Sequence, residues 1–223
     1  AATGALTLYL LAVAVFLSTR SWMKDFFPFT DKVESFTTCA VLIVICALWY
    51  RKRLANREFT VLLLLAFASA ATIFVFEDNI RYPTPYLLTM WYPLHVPLSF
   101  AAYAFWLVAG VNALFSIRAW RDRDPSLPER PLMTELNRYG FICFTVAMLF
   151  GGIWGYLAWS AYFMWDPKLV WSAILWLYYG NLLHIDSLPA FRRWKIPLYI
   201  LGIVMILVTF IGTGFFTRSI HKF

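Results

Sequence analysis

Seven apolar runs are spaced along the chain: Gly4 to Thr19, Val33 to Tyr50, Phe59 to Phe76, His95 to Ile117, Tyr139 to Leu157, Leu169 to Leu188 and Ile196 to Phe216. Each reaches or approaches the roughly 20 residues that cross a hydrocarbon layer about 30 Å thick. A segment in such a layer must satisfy its own backbone N–H and C=O groups, so each run is expected as a helix. The pattern predicts an all-α fold, a polytopic transmembrane helix bundle of six or seven spans forming one membrane domain over residues 1–223. The choice between six and seven rests on the first run. At 16 residues, followed by RSWMKDFFPF, it is either a short span or a partner-facing helix.

The polar stretches between the runs set the orientation. Arg51 to Glu58, Arg118 to Arg138 and Phe191 to Lys195 together hold twelve Lys and Arg, against seven in the other loops and the tail. Positive charge collects on the cytoplasmic side, which places the first set inside. The segments around Glu77 to Leu94, Trp159 to Lys168 and Thr217 to Phe223 then face outside, and the N-terminus is cytoplasmic if there are seven spans. Composition agrees with a lipid partner, since 61% of the 223 residues are hydrophobic and 14% charged. The formal net charge of +7 is spread over short loops with no basic tail or basic domain, which argues against nucleic acid. Cys39, Cys46 and Cys143 lie inside apolar runs with no CxxC or CxxCH spacing, so they read as core residues rather than thiol-exchange, zinc or covalent haem sites.

The unusual residues gather on the outer side. From Gly151 to His184 the chain reads GGIWGYLAWSAYFMWDPKLVWSAILWLYYGNLLH, with Trp154, Trp159, Trp165, Trp171 and Trp176 joined by several tyrosines. An interfacial aromatic belt would account for isolated tryptophans. Clustering in one loop and its two flanking helix ends instead suggests a platform for a flat, apolar, aromatic-sized ligand such as a porphyrin. Asp166 followed by Pro167 has a structural explanation as N-cap and first helical residue, and an Asp so fixed would also fix the loop carrying Trp159 and Trp165. Imidazole is a usual axial ligand of haem iron, which draws attention to the three histidines. His95 and His221 fall on the same outer face as the tryptophans. His184 lies 18 residues beyond Asp166, roughly 27 Å along a helix and near the inner side, where a ligand and a solvated helix end remain alternatives. Arg81 and Lys168, the only basic residues of their outer loops, could pair with haem propionates or with lipid headgroups.

The segment WGYLAWSAYFMWDPKLVWSAILWLYYGNLLH resembles the tryptophan-rich "WWD" signature of the haem-handling proteins of cytochrome c biogenesis, nearest to the CcsA/ResC type and related to the CcmC type. The upstream piece WYPLHVPLSFAAYAF resembles that family's outer histidine helix, and TFIGTGFFTRSIH its final helix, with Gly212 nine residues before His221. The resemblance covers residues 90–223, a WWD-type haem-handling core, and leaves 1–89 as accessory or partner-facing helices. It implies that His95 and His221 ligate a non-covalent haem b against a platform of Trp154, Trp159, Trp165, Asp166, Trp171 and Trp176. It further implies that His184 belongs to a second, inner haem site. The implied function is presentation of haem to the CxxCH thiols of apocytochrome c, as part of a holocytochrome c synthase complex with a CcsB/ResB-like membrane partner. The alternative is a haem-binding electron-transfer subunit linking the quinone pool to periplasmic cytochromes. The implied setting is a bacterial inner membrane or a thylakoid-type membrane.

Overall fold

Asp31 shows how the chain starts its helices. Its backbone is extended (φ −138°, ψ 172°) and its carboxylate accepts the Glu34 amide at 2.9 Å, satisfying one of the N–H groups that a helix leaves unpaired at its start. Asp166 does the same for a later helix, accepting the Lys168 amide at 2.9 Å with Pro167 as the first helical residue. In the computed structural model, which describes residues 2–76, 80–122 and 131–213, the elements are α1 (Ala2–Lys24), α2 (Lys32–Trp49), α3 (Asn56–Ala70), α4 (Trp91–Leu114), α5 (Ile117–Arg121), α6 (Pro131–Trp159), α7 (Pro167–Leu183), α8 (Pro189–Arg192) and α9 (Lys195–Leu207). A 3-10 turn, Ala71–Phe74, extends α3, and a π-helical turn, Val208–Gly212, extends α9. Among the described residues there is no β-strand.

Over their described residues all seven apolar runs are mainly helical, as their composition predicts. Among the described residues six helices are long and apolar enough to cross a membrane, including α1 over Leu6–Lys24. At 17 residues α7 is shorter, about 25 Å at the α-helical rise. The chain is an integral membrane protein built as a helical bundle. Two helices reach beyond the apolar runs, and in both cases the added polar residues find partners. Helix α1 continues past Thr19 because Arg20 and Lys24 enter an ion cluster, and α6 starts at Pro131 rather than Tyr139 because Thr134, Glu135 and Asn137 are bonded to neighbouring elements.

Helix α4 lies at the centre, packed most extensively on α6 and then on α2 and α9. Its approach to α6 depends on two glycines. A Cβ on Gly140 would stand 2.5 Å from the Trp106 indole nitrogen, and a Cβ on Gly151 2.7 Å from Nδ1 of His95, so neither position has room for a side chain. His95 and Trp106 are eleven residues apart on α4, as are Gly140 and Gly151 on α6, so two antiparallel helices meet in register at both places. Around the lower contact the core is fixed by direction as well as by area. The Trp106 ring stacks on Tyr179 at 3.9 Å and 3°, and its Nε1 donates to Asn137 Oδ1 at 3.0 Å. Asn137 Nδ2 in turn donates to the Tyr179 carbonyl at 3.1 Å, so one buried amide joins α4, α6 and α7.

The bundle has two dissimilar ends. One carries the basic loops, joined where Tyr50 donates to Glu135 at 3.1 Å, Arg53 pairs with Glu135 at 2.5 Å, and Lys195 pairs with Asp186 at 2.7 Å. The other carries His95, the tryptophan-rich loop and the first turns of α2 and α7. Here α1 is fastened to α2 by a charge-balanced cluster in which Arg20, Lys24, Asp31 and Glu34 are each at most 6% exposed. Arg20 reaches Glu34 Oε1 and Asp31 Oδ2, both at 2.8 Å, while Lys24 bonds Asp31 at 3.0 Å, Thr30 at 2.6 Å and Glu34 as well. Two cations facing two carboxylates, with Thr30 and backbone amides taking the remaining bonds, make this burial tolerable. Burial alone would push the Asp31 carboxyl up, but the Glu34 amide, Lys24 and Arg20 outweigh it and hold the carboxyl below the usual carboxylate range.

Candidate functional site

At the end opposite the basic loops, six parts of the chain enclose a cavity. Helix α4 contributes His95, Ser99, Phe100 and Tyr103; α6 contributes Phe144, Met148, Gly151, Trp154 and its last residue, Trp159; the loop after α6 contributes Tyr162 and Phe163. The first turns of α7 and α2 close it with Lys168, Leu169 and Ser172 on one side and Lys32, Ser35 and Phe36 on the other. Phe210, in the π-helical turn, completes the wall. The cavity has a volume of about 190 Å³ and is partly open to the outside. Aromatic and aliphatic groups dominate, with a few polar groups at fixed places, the usual make-up of a small-molecule site.

His95 is held firmly. Its Nδ1 lies 2.7 Å from the Ala147 carbonyl oxygen, which can only accept, so Nδ1 carries the proton and Nε2 keeps its lone pair. Gly151 makes room for the ring, and Trp154 lies nearly parallel to it at 6.4 Å and 20°. Trp154 is itself anchored: Nε1 donates to the Tyr86 carbonyl at 2.7 Å, Tyr92 packs at 5.1 Å, and Trp159 meets its ring edge-on at 4.9 Å. Tyr92 donates to the Phe29 carbonyl at 2.6 Å, which ties this aromatic stack to the hairpin between α1 and α2. A neutral imidazole with a free Nε2, braced by its other nitrogen, is the arrangement that metal-ligating histidines use. Among the described residues no cluster of His, Cys, Asp and Glu is arranged to hold a bare metal ion.

The residues singled out from the sequence separate into groups. Trp154, Trp159, His95 and Lys168 line the cavity. Asp166 is buried at the N-cap of α7, where it fixes the end of the loop that follows Trp159 and carries Trp165. Trp165 is 89% exposed and rests its edge against Phe163 at 5.7 Å, outside the wall. Trp171 is half-buried on α7 and also outside the wall, while Trp176 lies between α6 and α7, donating to Thr145 at 2.9 Å and stacking on Phe141 at 5.5 Å. Arg81 is exposed and does not line the cavity; its carbonyl accepts from Thr30 at 3.1 Å. His184 is the exposed C-cap of α7 at the basic end. His221 lies outside the described residues. Lys32, Ser35, Phe36 and Gly151 were not singled out by sequence reasoning. Gly151–Gly152 at the head of the aromatic segment was the one visible sign, whereas nothing in the sequence alone connects α2 with the tryptophans.

These features define a class, a polytopic membrane protein with a histidine-bearing, aromatic-walled cavity at one end of its bundle. The family model described as "Cytochrome C assembly protein" matches residues 2–221, and the chain belongs to that family. Its role is therefore in cytochrome c biogenesis. It is similar to the cytochrome c biogenesis protein CcsA of Guillardia theta, 22% identical over 261 aligned positions that take in 99% of this chain and 84% of the relative. It is also similar to CcsA of a Synechococcus strain, 25% identical over 264 positions covering 96% and 85% of the two chains. Similarity to protein NrfI of Wolinella succinogenes reaches 26% over 215 residues, covering 92% of this chain but only 24% of that longer protein.

Proposed function

We propose that the cavity receives haem b as cargo and presents it for covalent attachment to the CxxCH thiols of an apocytochrome c. The observation that carries this reading is the state of His95: with Nδ1 donating to Ala147 and the ring braced by Trp154 and Gly151, Nε2 is an iron ligand in waiting beside an aromatic slot. His221 is the proposed second axial ligand. Support comes from the π-helical turn, which brings Phe210 to the cavity wall eleven residues before His221. Trp154 and Trp159 supply the platform face. Trp165 sits at the rim, and Asp166 holds the loop in place; Trp171 and Trp176 lie outside the wall, Trp176 bracing α7 against α6.

In the attachment step each acceptor thiol adds S–H across one haem vinyl group, so a C–S bond forms, the proton ends on the neighbouring carbon, and no net electron transfer is needed. The chain's contribution is orientation, holding the iron through histidine and leaving the vinyl edge toward the acceptor. His184, at the basic end, is the proposed ligand of a second, inner haem site, with the remaining ligand from a CcsB/ResB-like membrane partner. The cavity end faces the outside of a bacterial inner membrane or thylakoid-type membrane and the basic end the cytoplasm or its equivalent, on the strength of the Lys and Arg distribution.

The test is spectroscopic. Purified His95→Gly and His221→Gly should each lose the Soret absorption of bound haem and regain it when imidazole is added. Unchanged haem content in both variants would refute the assignment. Co-expression with a CcsB-like partner and an apocytochrome should give covalent c-type haem in the wild type and none in His95→Gly.

A further inference from the structure

Behind the two rings that face the cavity, Trp154 and His95, lies a layer that comes from elsewhere in the chain. Trp154 is backed by Tyr92 and Leu87, both buried, and Phe26 and Phe29 of the α1–α2 hairpin pack onto that group. Tyr92 has its ring on the cavity wall, while its hydroxyl donates to the Phe29 carbonyl at 2.6 Å. The edge of the indole is held differently, by the Trp154 Nε1 bond to the Tyr86 carbonyl at 2.7 Å, in the segment before α4. That segment reaches the same hairpin, because the Thr30 hydroxyl stands 3.1 Å from the Arg81 carbonyl. Face and edge of the Trp154 ring are thus both tied to two adjoining hairpin residues, Phe29 and Thr30.

The buried ion cluster fixes those two residues. Glu34 Oε2 accepts the Thr30 amide at 2.9 Å, and Lys24 donates to the Thr30 hydroxyl at 2.6 Å. A fully bonded buried network has one good arrangement, so it holds the hairpin more rigidly than loop backbone alone would. Rigidity matters here, because a displacement of about 1 Å in a group that orients a reactant can cost about a hundredfold in rate. We propose that Tyr92 is a positioning residue for the haem platform. Its hydroxyl, together with Thr30, transmits the fixed geometry of the Arg20–Lys24–Asp31–Glu34 cluster to the Trp154 ring, and through that ring to His95, which lies nearly parallel to it at 6.4 Å. This rests on the haem reading of the cavity and makes the α1–α2 hairpin, expected to be accessory, a working part of the site.

Tyr92→Phe keeps the ring in the wall and deletes only the hydroxyl. With the chain loaded with haem in nanodiscs, transfer of haem to apomyoglobin should be about fivefold faster than from the wild type, the worth of one net hydrogen bond. The circular dichroism of the Soret band should change as well, since it reports how neighbouring aromatic rings are set against the porphyrin. Tyr50→Phe deletes a comparable hydroxyl bond, to Glu135 at the basic end, and should release haem at the wild-type rate. Thr30→Val breaks the second tie and should act as Tyr92→Phe does, so the test survives a failure of either variant to fold. Wild-type release and unchanged dichroism in whichever of the two variants folds would overturn the positioning role and leave the haem reading standing, as would equal acceleration in Tyr50→Phe. If the wild type takes up no haem above empty nanodiscs, the haem reading falls and this inference with it.

Discussion

Gly151 and Gly140 do the same thing for different rings, and that makes them a matched pair of experiments. Adding one methyl to Gly151 puts a carbon 2.7 Å from His95 Nδ1, and adding one to Gly140 puts it 2.5 Å from the Trp106 indole. Either substitution to Ala should lower thermal stability by about 1–3 kcal/mol, the usual cost of overpacking a close contact. Only Gly151→Ala should also disturb porphyrin binding, because only it moves the ring whose Nδ1 bond to Ala147 sets the tautomer. Melting curves and porphyrin titration together check this; equal loss of binding in both variants would deny His95 its special place. His95 was visible in the sequence as one of three histidines. Its fixed tautomer was not, since that depends on a carbonyl 52 residues away on another helix.

Among the helices, α2 is the one whose role changed most between sequence and structure. Its apolar body was legible from hydrophobicity alone, but its first turn looked like the polar edge of an accessory span. In the folded chain that turn carries both the buried ion cluster and part of the cavity wall. Removing one member should be costly: Glu34→Ala leaves two buried cations facing a single carboxylate, and a loss of about 3–5 kcal/mol is expected. The measurement is a denaturation midpoint in detergent, with the Arg20→Ala, Glu34→Ala double variant losing less than the two single variants added together. Asp31 gives the same junction an acid sensitivity. Its native carboxyl titrates below its unfolded value of about 3.9, so its stabilising effect is complete above that value and is lost as pH falls through the depressed native value. The stability gap between wild type and Asp31→Asn should therefore narrow as pH is lowered from about 6 to about 2; a gap independent of pH would show that the Asp31 charge contributes nothing.

For the molecule as a whole, orientation is the property that links fold to function. With the cavity end outside, a cysteine introduced at exposed Thr84 should react with a membrane-impermeant maleimide on intact cells, and one at exposed Ser187 only after permeabilisation. The reverse pattern would place the cavity on the wrong side for an apocytochrome substrate. The sequence by itself determined the helical spans, the cap at Asp166 and the family, because lipid imposes a minimum apolar length and short motifs act locally. It also named His95, Trp154, Trp159 and Lys168. Only the tertiary structure decided which aromatic residues share a wall, that Trp165 projects outward while Trp176 packs between helices, and that Lys32 faces Lys168's cavity. Those outcomes depend on helix rotation and crossing, set by contacts such as Gly151 with His95 and Arg20 with Glu34. Such contacts join residues far apart in the chain, and hydropathy, which reports only how apolar a segment is, carries no record of them.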